Sequence, residues 1–319
     1  MTIPTANTEE TLPATIGSYG VTVVGRTHRG MVRSHNEDTF GAFMSLGLFV
    51  VCDGMGGHAG GEVASDLALR TVFHSMFEST MALGADKKAS VRFLRNSLTN
   101  AVHRAHHTIR SQVDEQPHLE GMGTTFAALQ VSEQGMVISH VGDSRIYRWS
   151  ERRGLVQLTQ DHSLLNQISA HRTVNDEEAD RIRNVIVNAV GVTSCKPDTT
   201  VVQRNAGDVF LLCSDGLSDL VSDAEIQAII EGNEGSLERA AQELVASANK
   251  AGGHDNITVL LVRDEVGSTS RLAARTLPFI SGRGSAQPDV QSAQPNWVRA
   301  TINTISGWRR NRAEARASA

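Results

Sequence analysis

Four aspartates placed at the ends of apolar segments constrain this chain more than any other feature. Asp53 follows LFVVC, Asp143 follows VISHVG, Asp215 follows VFLLCS, and Asp255 stands just before NITVLLV. Each short apolar run predicts a buried strand, and strand ends can hold side chains rigidly beside solvent. A single aspartate near a turn is more often a turn former, but four such acids from separate strands can converge. Converging carboxylates repel one another, so the pattern predicts a hard cation, Mg²⁺ or Mn²⁺, which prefers oxygen ligands.

The composition is that of a globular protein and excludes several classes. The 319 residues are 40% hydrophobic and 20% charged, with a net charge of -5. Wholesale disorder is excluded, and no apolar run approaches the roughly 20 residues that span a bilayer, so we expect a cytoplasmic protein. Three cysteines without C-x-x-C spacing exclude a secreted disulfide scaffold.

Charge and composition divide the chain into three parts. Residues 1–19 are polar and predict a flexible leader, residues 20–266 carry the apolar segments, and residues 267–319 form a linker and a basic tail. The tail has eight arginines against Asp289 and Glu314, which leaves an acidic body and argues against nucleic-acid binding. A helix over 296–310 would be basic and amphipathic, able to dock on a partner protein or an anionic membrane surface. The alternative is that it packs on the acidic body or stays disordered.

The order of elements predicts an α+β fold. A strand pair precedes two helices, over 61–76 and 89–113, and four strands between 124 and 159 are expected to form an antiparallel meander. Residues 163–196 are polar and form an excursion over the core. Strands resume at 199–203, 209–214 and 257–263, with helices over 223–230 and 237–248.

A second cluster of candidate residues lies between the first strands. Arg33 stands four residues before Glu37 in RSHNED, where its planar guanidinium could bind two phosphate oxygens, although a surface Arg–Glu pair is an equal alternative. The following segment, GMGGHAGG at 54–61, is neither a dinucleotide fingerprint nor a P-loop. Its glycines allow backbone carbonyls to approach a metal.

Seven motifs, taken together, resemble the PP2C-type (PPM) metal-dependent serine/threonine protein phosphatases, especially their bacterial branch. They stand in the family's order: RSHNED (33–38), VVCDGMGGHAGGEVAS (50–65), GMGTT (121–125), VGDSR (141–145), LTQDHS (158–163), CSDGLSD (213–219) and DNITV (255–259). The resemblance implies an antiparallel β-sandwich flanked by helices on both faces, with a binuclear metal centre at one end. It also implies that 163–196 is the flap beside the active site.

The resemblance also implies roles for individual residues. Asp53 would bridge two metals, Asp215 and Asp255 would complete the first site, and Glu37 with the Gly54 carbonyl would belong to the second. Asp143 and Asp219 would hold a third, weaker metal, Asp38 would support the ligands from behind, and Arg33 would hold the substrate phosphate. His58 is a candidate proton donor to the leaving alkoxide, with a metal-bound water or a packing role for His58 as alternatives. We interpret His35, His140 and His162 as solvated or supporting histidines.

The implied reaction is hydrolysis of phosphoserine and phosphothreonine in proteins by water activated between two Mg²⁺ or Mn²⁺ ions. A cysteine-dependent phosphatase is excluded because no cysteine is followed six residues later by arginine. A phosphatase of the haloacid-dehalogenase type is excluded because no Asp-x-Asp nucleophile pair occurs. The non-enzymatic alternative is a catalytically silent phosphoprotein-binding scaffold, which would be expected to lack metal ligands. We expect a monomer and, as a partner, a cognate bacterial serine/threonine kinase.

Overall fold

Two antiparallel sheets stack face to face in this computed structural model, which describes residues 10–17, 19–56, 60–84, 88–182, 185–192 and 195–266. The six-stranded first sheet has the spatial order β1 (Glu10–Gly17), β2 (Val21–His28), β13 (Ile257–Asp264), β12 (Val209–Cys213), β9 (Arg145–Ser150), β10 (Gly154–Gln157). The five-stranded second sheet has the order β11 (Asp198–Val202), β8 (Met136–Val141), β7 (Phe126–Val131), β4 (Leu48–Cys52), β3 (Thr39–Phe43). A short ribbon pairs β5 (Gly54–Met55) with β6 (Gly123–Thr124).

Helices cover the outer faces of both sheets. The helices are α1 (Gly60–Leu83), α2 (Val91–Glu115), α3 (Leu164–Ser169), α4 (Asp176–Ile182), α5 (Asp215–Ser218), α6 (Asp223–Gly232) and α7 (Leu237–Lys250). The long pair α1 and α2 packs on the second sheet, and α6 and α7 pack on the first. None of the helices in the described part of the chain combines the length and the apolar character needed to span a bilayer.

The core has an inner and an outer layer. The inner layer, between the sheets, contains aliphatic side chains from both, among them Val51, Leu129 and Leu260. The outer layer joins the first sheet to α6 and α7 through residues such as Leu211 and Leu244. Each fully buried aliphatic side chain contributes about 1.5–3 kcal/mol, so these layers hold the sandwich rigid behind its loops. The predicted α+β sandwich flanked by helices is therefore confirmed.

Two expectations about the chain path are wrong. Residues 10–17 form β1, which pairs with β2, so the leader is not loose in this part; residues 1–9 lie outside the described residues. The four strands between 126 and 157 do not form one meander, because β7 and β8 belong to the second sheet while β9 and β10 belong to the first. The chain crosses between sheets at Gly142, whose φ of +99° is easily adopted only by glycine.

Candidate metal centre

The strand ends that carry the predicted acids lie at one end of the sandwich. In the second sheet Cys52, the last residue of β4, pairs with Thr39, and Asp53 follows it directly. In the first sheet Ile257, the first residue of β13, pairs with His28, and Asp255 stands two residues before it. Asp215 begins α5, two residues after β12 ends. The loop between β2 and β3 brings Arg33 and Glu37 to the same end.

These side chains line one open cavity of about 410 Å³. Its lining includes six of the residues predicted to bind metal or phosphate: Arg33, Glu37, Asp53, Gly54, Asp215 and Asp255. The other lining residues are Ser34, His35, Met55, Gly56, Ile186 and Asn256. Among the residues that the structure describes, Arg33 is the one arginine in this lining, so the cavity is strongly acidic.

Burial and mutual repulsion raise the pKa values of the central acids. The pKa of Asp53 lies well above its ordinary value, first because the side chain is buried and then because of the charges of Asp38, Asp215 and Asp143. Burial and the charge of Asp255 raise the pKa of Asp215 to about 6, although a hydrogen bond with Asp53 opposes this increase. Without a cation these acids keep their protons more readily, because the surrounding protein supplies too little positive charge to stabilise their charged forms.

The donor set fits a hard divalent cation. Every side-chain donor among the acids is oxygen, and Oδ1 of Asp215 is buried without a hydrogen-bond partner. A buried, unpaired carboxylate oxygen is costly, and a cation in the cavity would satisfy it. The cavity thus has the chemistry expected of a magnesium or manganese site.

Asp38 lies behind the cavity rather than in its lining. Its side chain is fully buried, and its Oδ2 accepts hydrogen bonds from Ser214 Oγ at 2.8 Å and Thr258 Oγ1 at 2.6 Å. Burial raises its pKa to about 7 against the effect of these two donors. Asp38 therefore links β12 to β13 just beneath the acids of the cavity.

Asp143 and Asp219 form a separate acidic group beside Asp215. Burial is the main cause that raises the pKa of Asp143 to about 8, and the charges of Asp215, Asp161 and Asp219 add to it. Oδ1 of Asp143 is also buried without a partner. Asp219 directly follows α5, and its backbone N–H donates to the Asp215 carbonyl at 2.8 Å. The structure brings these two acids near the cavity but outside its lining.

Arg33 stands at the rim of the cavity beside a carboxylate. Its Nη2 lies 2.6 Å from Asp255 Oδ2, and the Arg33 side chain is 53% exposed. A guanidinium in this position can reach an incoming anion without crossing the cavity. The alternative considered for Arg33 was a surface pair with Glu37, but the guanidinium pairs with Asp255 instead.

Close packing explains Gly54 and Gly61, the first and last glycines of the glycine-rich segment. A Cβ on Gly54 would lie 2.2 Å from the Gly61 carbonyl oxygen, and a Cβ on Gly61 would lie 2.4 Å from Glu37 Oε2. Larger residues at either position would displace Glu37 from the cavity. His58 lies outside the described residues, so its proposed role stays a prediction.

Two polar residues in the site were missed by the sequence analysis. Asn256 Oδ1 accepts from the Glu37 N–H at 2.8 Å, and its Nδ2 donates to the Arg29 and His35 carbonyls, each at 2.9 Å. Thr125 Oγ1 accepts from the Asp53 N–H at 2.9 Å. The sequence signal that could have identified them is a polar residue at the start of an apolar segment: Thr125 before FAALQV and Asn256 before ITVLLV.

The fold and the acidic cavity together define a metal-dependent phosphatase. A profile of the protein phosphatase 2C family matches residues 24–262, and the chain belongs to this family. The predicted family and enzyme class are thereby confirmed, and the silent-scaffold alternative is not favoured.

Relatives of known name and structure agree with this assignment. The serine/threonine phosphatase stp of Listeria monocytogenes is 35% identical over 255 residues, covering 78% of this chain and 98% of that protein. The crystal structure of the Mycobacterium tuberculosis serine/threonine phosphatase PstP/Ppp has a TM-score of 0.67 at 35% identity, covering 77% of this chain and 99% of that one. The catalytic domain of PstP in complex with two manganese ions has a TM-score of 0.66 at 34% identity, covering 76% and 97%.

Proposed function

We propose that this serine/threonine protein phosphatase hydrolyses phosphoserine and phosphothreonine monoesters with two divalent cations, Mg²⁺ or Mn²⁺, held in the acidic cavity. The observation that supports this most strongly is the convergence of Asp53, Asp215 and Asp255, with Asp215 Oδ1 left unpaired. The manganese complex of PstP supports the choice of metal.

The resemblance to the PP2C family suggests a role for each ligand. Asp53 would bridge the two cations, Asp215 and Asp255 would complete one site, and Glu37 with the Gly54 carbonyl would form the other. Asp38 would keep the strand ends in place through Ser214 and Thr258. Bound cations of this kind lower the pKa of water and offset the charge of a phosphoryl group.

Arg33 is proposed to bind the substrate phosphate. Its planar fork can donate two hydrogen bonds to phosphate oxygens, and the exposed guanidinium already lies at the entrance to the cavity. Glu37 and Asn256 hold the loop on which Arg33 stands, because the Asn256 amide bonds to residues on both sides of it. His58 is proposed as the proton donor to the leaving alkoxide.

Asp143 and Asp219 are proposed to hold a third, weaker cation. Their separation from the cavity lining supports a role distinct from that of Asp53. Replacing either with alanine should weaken binding of one cation while two remain, which calorimetry with Mn²⁺ can resolve.

The domain boundaries and partners complete the proposal. The catalytic unit would be residues 10–266, since β1 belongs to the first sheet, with a flap over 163–196 and a tail over 267–319 that could dock on a partner or a membrane surface. A monomer that opposes a serine/threonine kinase is the simplest arrangement, and phosphoproteomics of a deletion strain would identify the shared substrates.

The direct test is metal-dependent turnover of phosphoserine and phosphothreonine peptides. Mn²⁺ or Mg²⁺ should support activity and EDTA should abolish it. Arg33→Ala should chiefly raise KM, by about tenfold to a hundredfold, with Arg70→Ala on α1 as the matched surface control. Full turnover in EDTA by a protein that elemental analysis shows to be free of metal would refute the binuclear mechanism.

A further inference from the structure

His162 contacts three segments through the two nitrogens of one ring. Its Nδ1 lies 3.1 Å from the backbone nitrogen of Gly142 and 2.9 Å from Nδ2 of Asn188. Its Nε2 lies 3.2 Å from Oδ2 of Asp198. Only 15% of the His162 side chain is exposed, so these contacts replace water as its hydrogen-bond partners.

The neighbouring groups fix which nitrogen carries the proton. A backbone N–H such as that of Gly142 can only donate. The Asn188 amide is oriented by Lys196, whose N–H donates to Asn188 Oδ1 at 3.0 Å and whose carbonyl accepts from Nδ2 at 2.8 Å. Nδ1 of His162 therefore accepts two hydrogen bonds, and the ring proton must be on Nε2, facing Asp198.

This proton arrangement excludes a metal site that the side chains otherwise suggest. His140, His162 and Asp198 have potential ligand atoms within 4.8 Å of one another. A protonated Nε2 cannot bind a metal, and Nδ1 of His162 is already occupied. Nε2 of His140 faces the Gln160 carbonyl at 2.9 Å and carries a proton as well. The buried His140 ring stacks on His162, with ring centroids 4.5 Å apart.

The segment that His162 holds forms part of the catalytic cavity. The Val187 N–H donates to the His162 carbonyl at 2.9 Å, so both the backbone and the ring of His162 bind residues 187–188. Ile186, the residue before, lines the cavity. Further along, Val190 exchanges two backbone hydrogen bonds with Thr124, each 2.9 Å, and the Thr124 hydroxyl donates to the Asp53 carbonyl.

We propose that His162 is a positioning residue that, as a neutral ring, sets the Ile186 wall of the cavity for phosphoprotein binding. It acts through Asn188 and Val187 and touches no phosphate itself. The proposal rests on the phosphatase activity of the cavity and not on which residues hold the cations. Its loss should weaken binding of the peptide around the phosphate more than it slows the reaction.

Two substitutions separate the roles of the two ring nitrogens. In His162→Asn, Oδ1 takes the position of Nδ1 and keeps the acceptor for Gly142 and Asn188, but the link to Asp198 is lost. His162→Gln keeps a donor that reaches toward Asp198 and loses the Nδ1 acceptor. His171→Ala, at an exposed histidine in the same segment, is the control.

We expect His162→Gln to raise KM for a phosphopeptide by about tenfold, because both hydrogen bonds that Nδ1 accepts are lost, with kcat within about threefold of the unsubstituted protein. His162→Asn and His171→Ala should stay within about twofold of it in KM. Turnover of a small aryl phosphate, which does not reach past the cavity, should change little in all three. The reverse order, with Asn impaired and Gln normal, would overturn the proposal.

The tautomer is tested without activity. Long-range ¹H–¹⁵N spectra of the histidine rings, with the His162→Asn protein for assignment, should show His162 as a neutral ring protonated on Nε2. A proton on Nδ1, or stoichiometric Zn²⁺ bound by the full chain and lost in both His162 variants, would refute the proposed positioning role of His162. Because this measurement needs no turnover, it stays decisive even if the proposed metal mechanism fails.

Discussion

Buried aspartates at the two ends of the sandwich have opposite surroundings. At the end away from the cavity, Asp264 is fully buried and accepts hydrogen bonds from Arg204 Nε at 3.0 Å and Nη2 at 2.7 Å. Asp208, also buried there, accepts from Arg148 Nε at 2.6 Å. At the cavity end, Asp215 has a buried oxygen without a partner, and its nearest charges include other carboxylates.

The comparison shows that burial alone does not make a functional carboxylate. Asp264 is the last residue of β13 and Asp255 stands just before its first residue, so both aspartates are held at an end of the same strand. What differs is the source of positive charge, since arginine supplies it at the far end. At the cavity end Arg33 pairs with Asp255, and the positive charge that balances Asp53 and Asp215 has to come from a bound cation or from protons.

The largest expected effect is on turnover. Asp53→Asn keeps the shape of the side chain but removes the central negative charge, and should reduce kcat by at least about a thousandfold. Asp264→Asn, the matched change at the far end, should leave kcat within about twofold, because the length of β13 separates Asp264 from the cavity. Equal losses in steady-state assays of the two variants would mean that the two ends are not functionally distinct.

The same two substitutions should change the free energy of unfolding in opposite directions. Asp264→Asn leaves Arg204 buried with its charge unpaired and should lower the free energy of unfolding by about 3–5 kcal/mol. Asp53→Asn relieves repulsion and should stabilise the protein in EDTA. Urea denaturation measures both changes, and a metal-free Asp53→Asn protein less stable than the unsubstituted one would contradict the electrostatic interpretation.

The stability of the metal-free protein should also depend on pH. Folding raises the pKa of Asp215 to about 6 and of Asp143 to about 8, so the folded protein keeps protons that the unfolded chain releases above about pH 4. The free energy of unfolding in EDTA should therefore fall as pH rises from about 4 to 8. Saturating Mn²⁺ should remove this fall, because the cation replaces the protons. A metal-free protein that becomes more stable over this range would refute the assignment.

The smallest expected effect concerns the tail. Truncation after Val266 keeps β13 and both ends of the sandwich, so turnover of a small aryl phosphate should stay within about twofold. Any association with anionic vesicles or a partner should be lost. A truncated protein that is folded and binds Mn²⁺ but has lost most of its turnover would place the tail in the catalytic unit.

The sequence predicted the cavity end better than the path between its elements. Asp53, Asp215 and Asp255 could be found because each is adjacent to an apolar run that admits one interpretation. The crossing at Gly142 could not be found, because alternation within β8 and β9 does not reveal which sheet each strand joins. β1 has little apolar character and is held by backbone pairing to β2, which local sequence does not show. The hydrogen bonds of His162 could not be predicted either, because its partners Gly142 and Asn188 are 20 and 26 residues away.

The most direct test of the account is anomalous diffraction from crystals grown with Mn²⁺. We expect at least two manganese peaks in the cavity, one among the oxygens of Asp53, Asp215 and Asp255 and one near Glu37 and the Gly54 carbonyl. No peak is expected at the far end, beside Asp264 and Asp208. A cavity without manganese in crystals of a protein that is active in the same solution would contradict the claim that bound cations neutralise these carboxylates.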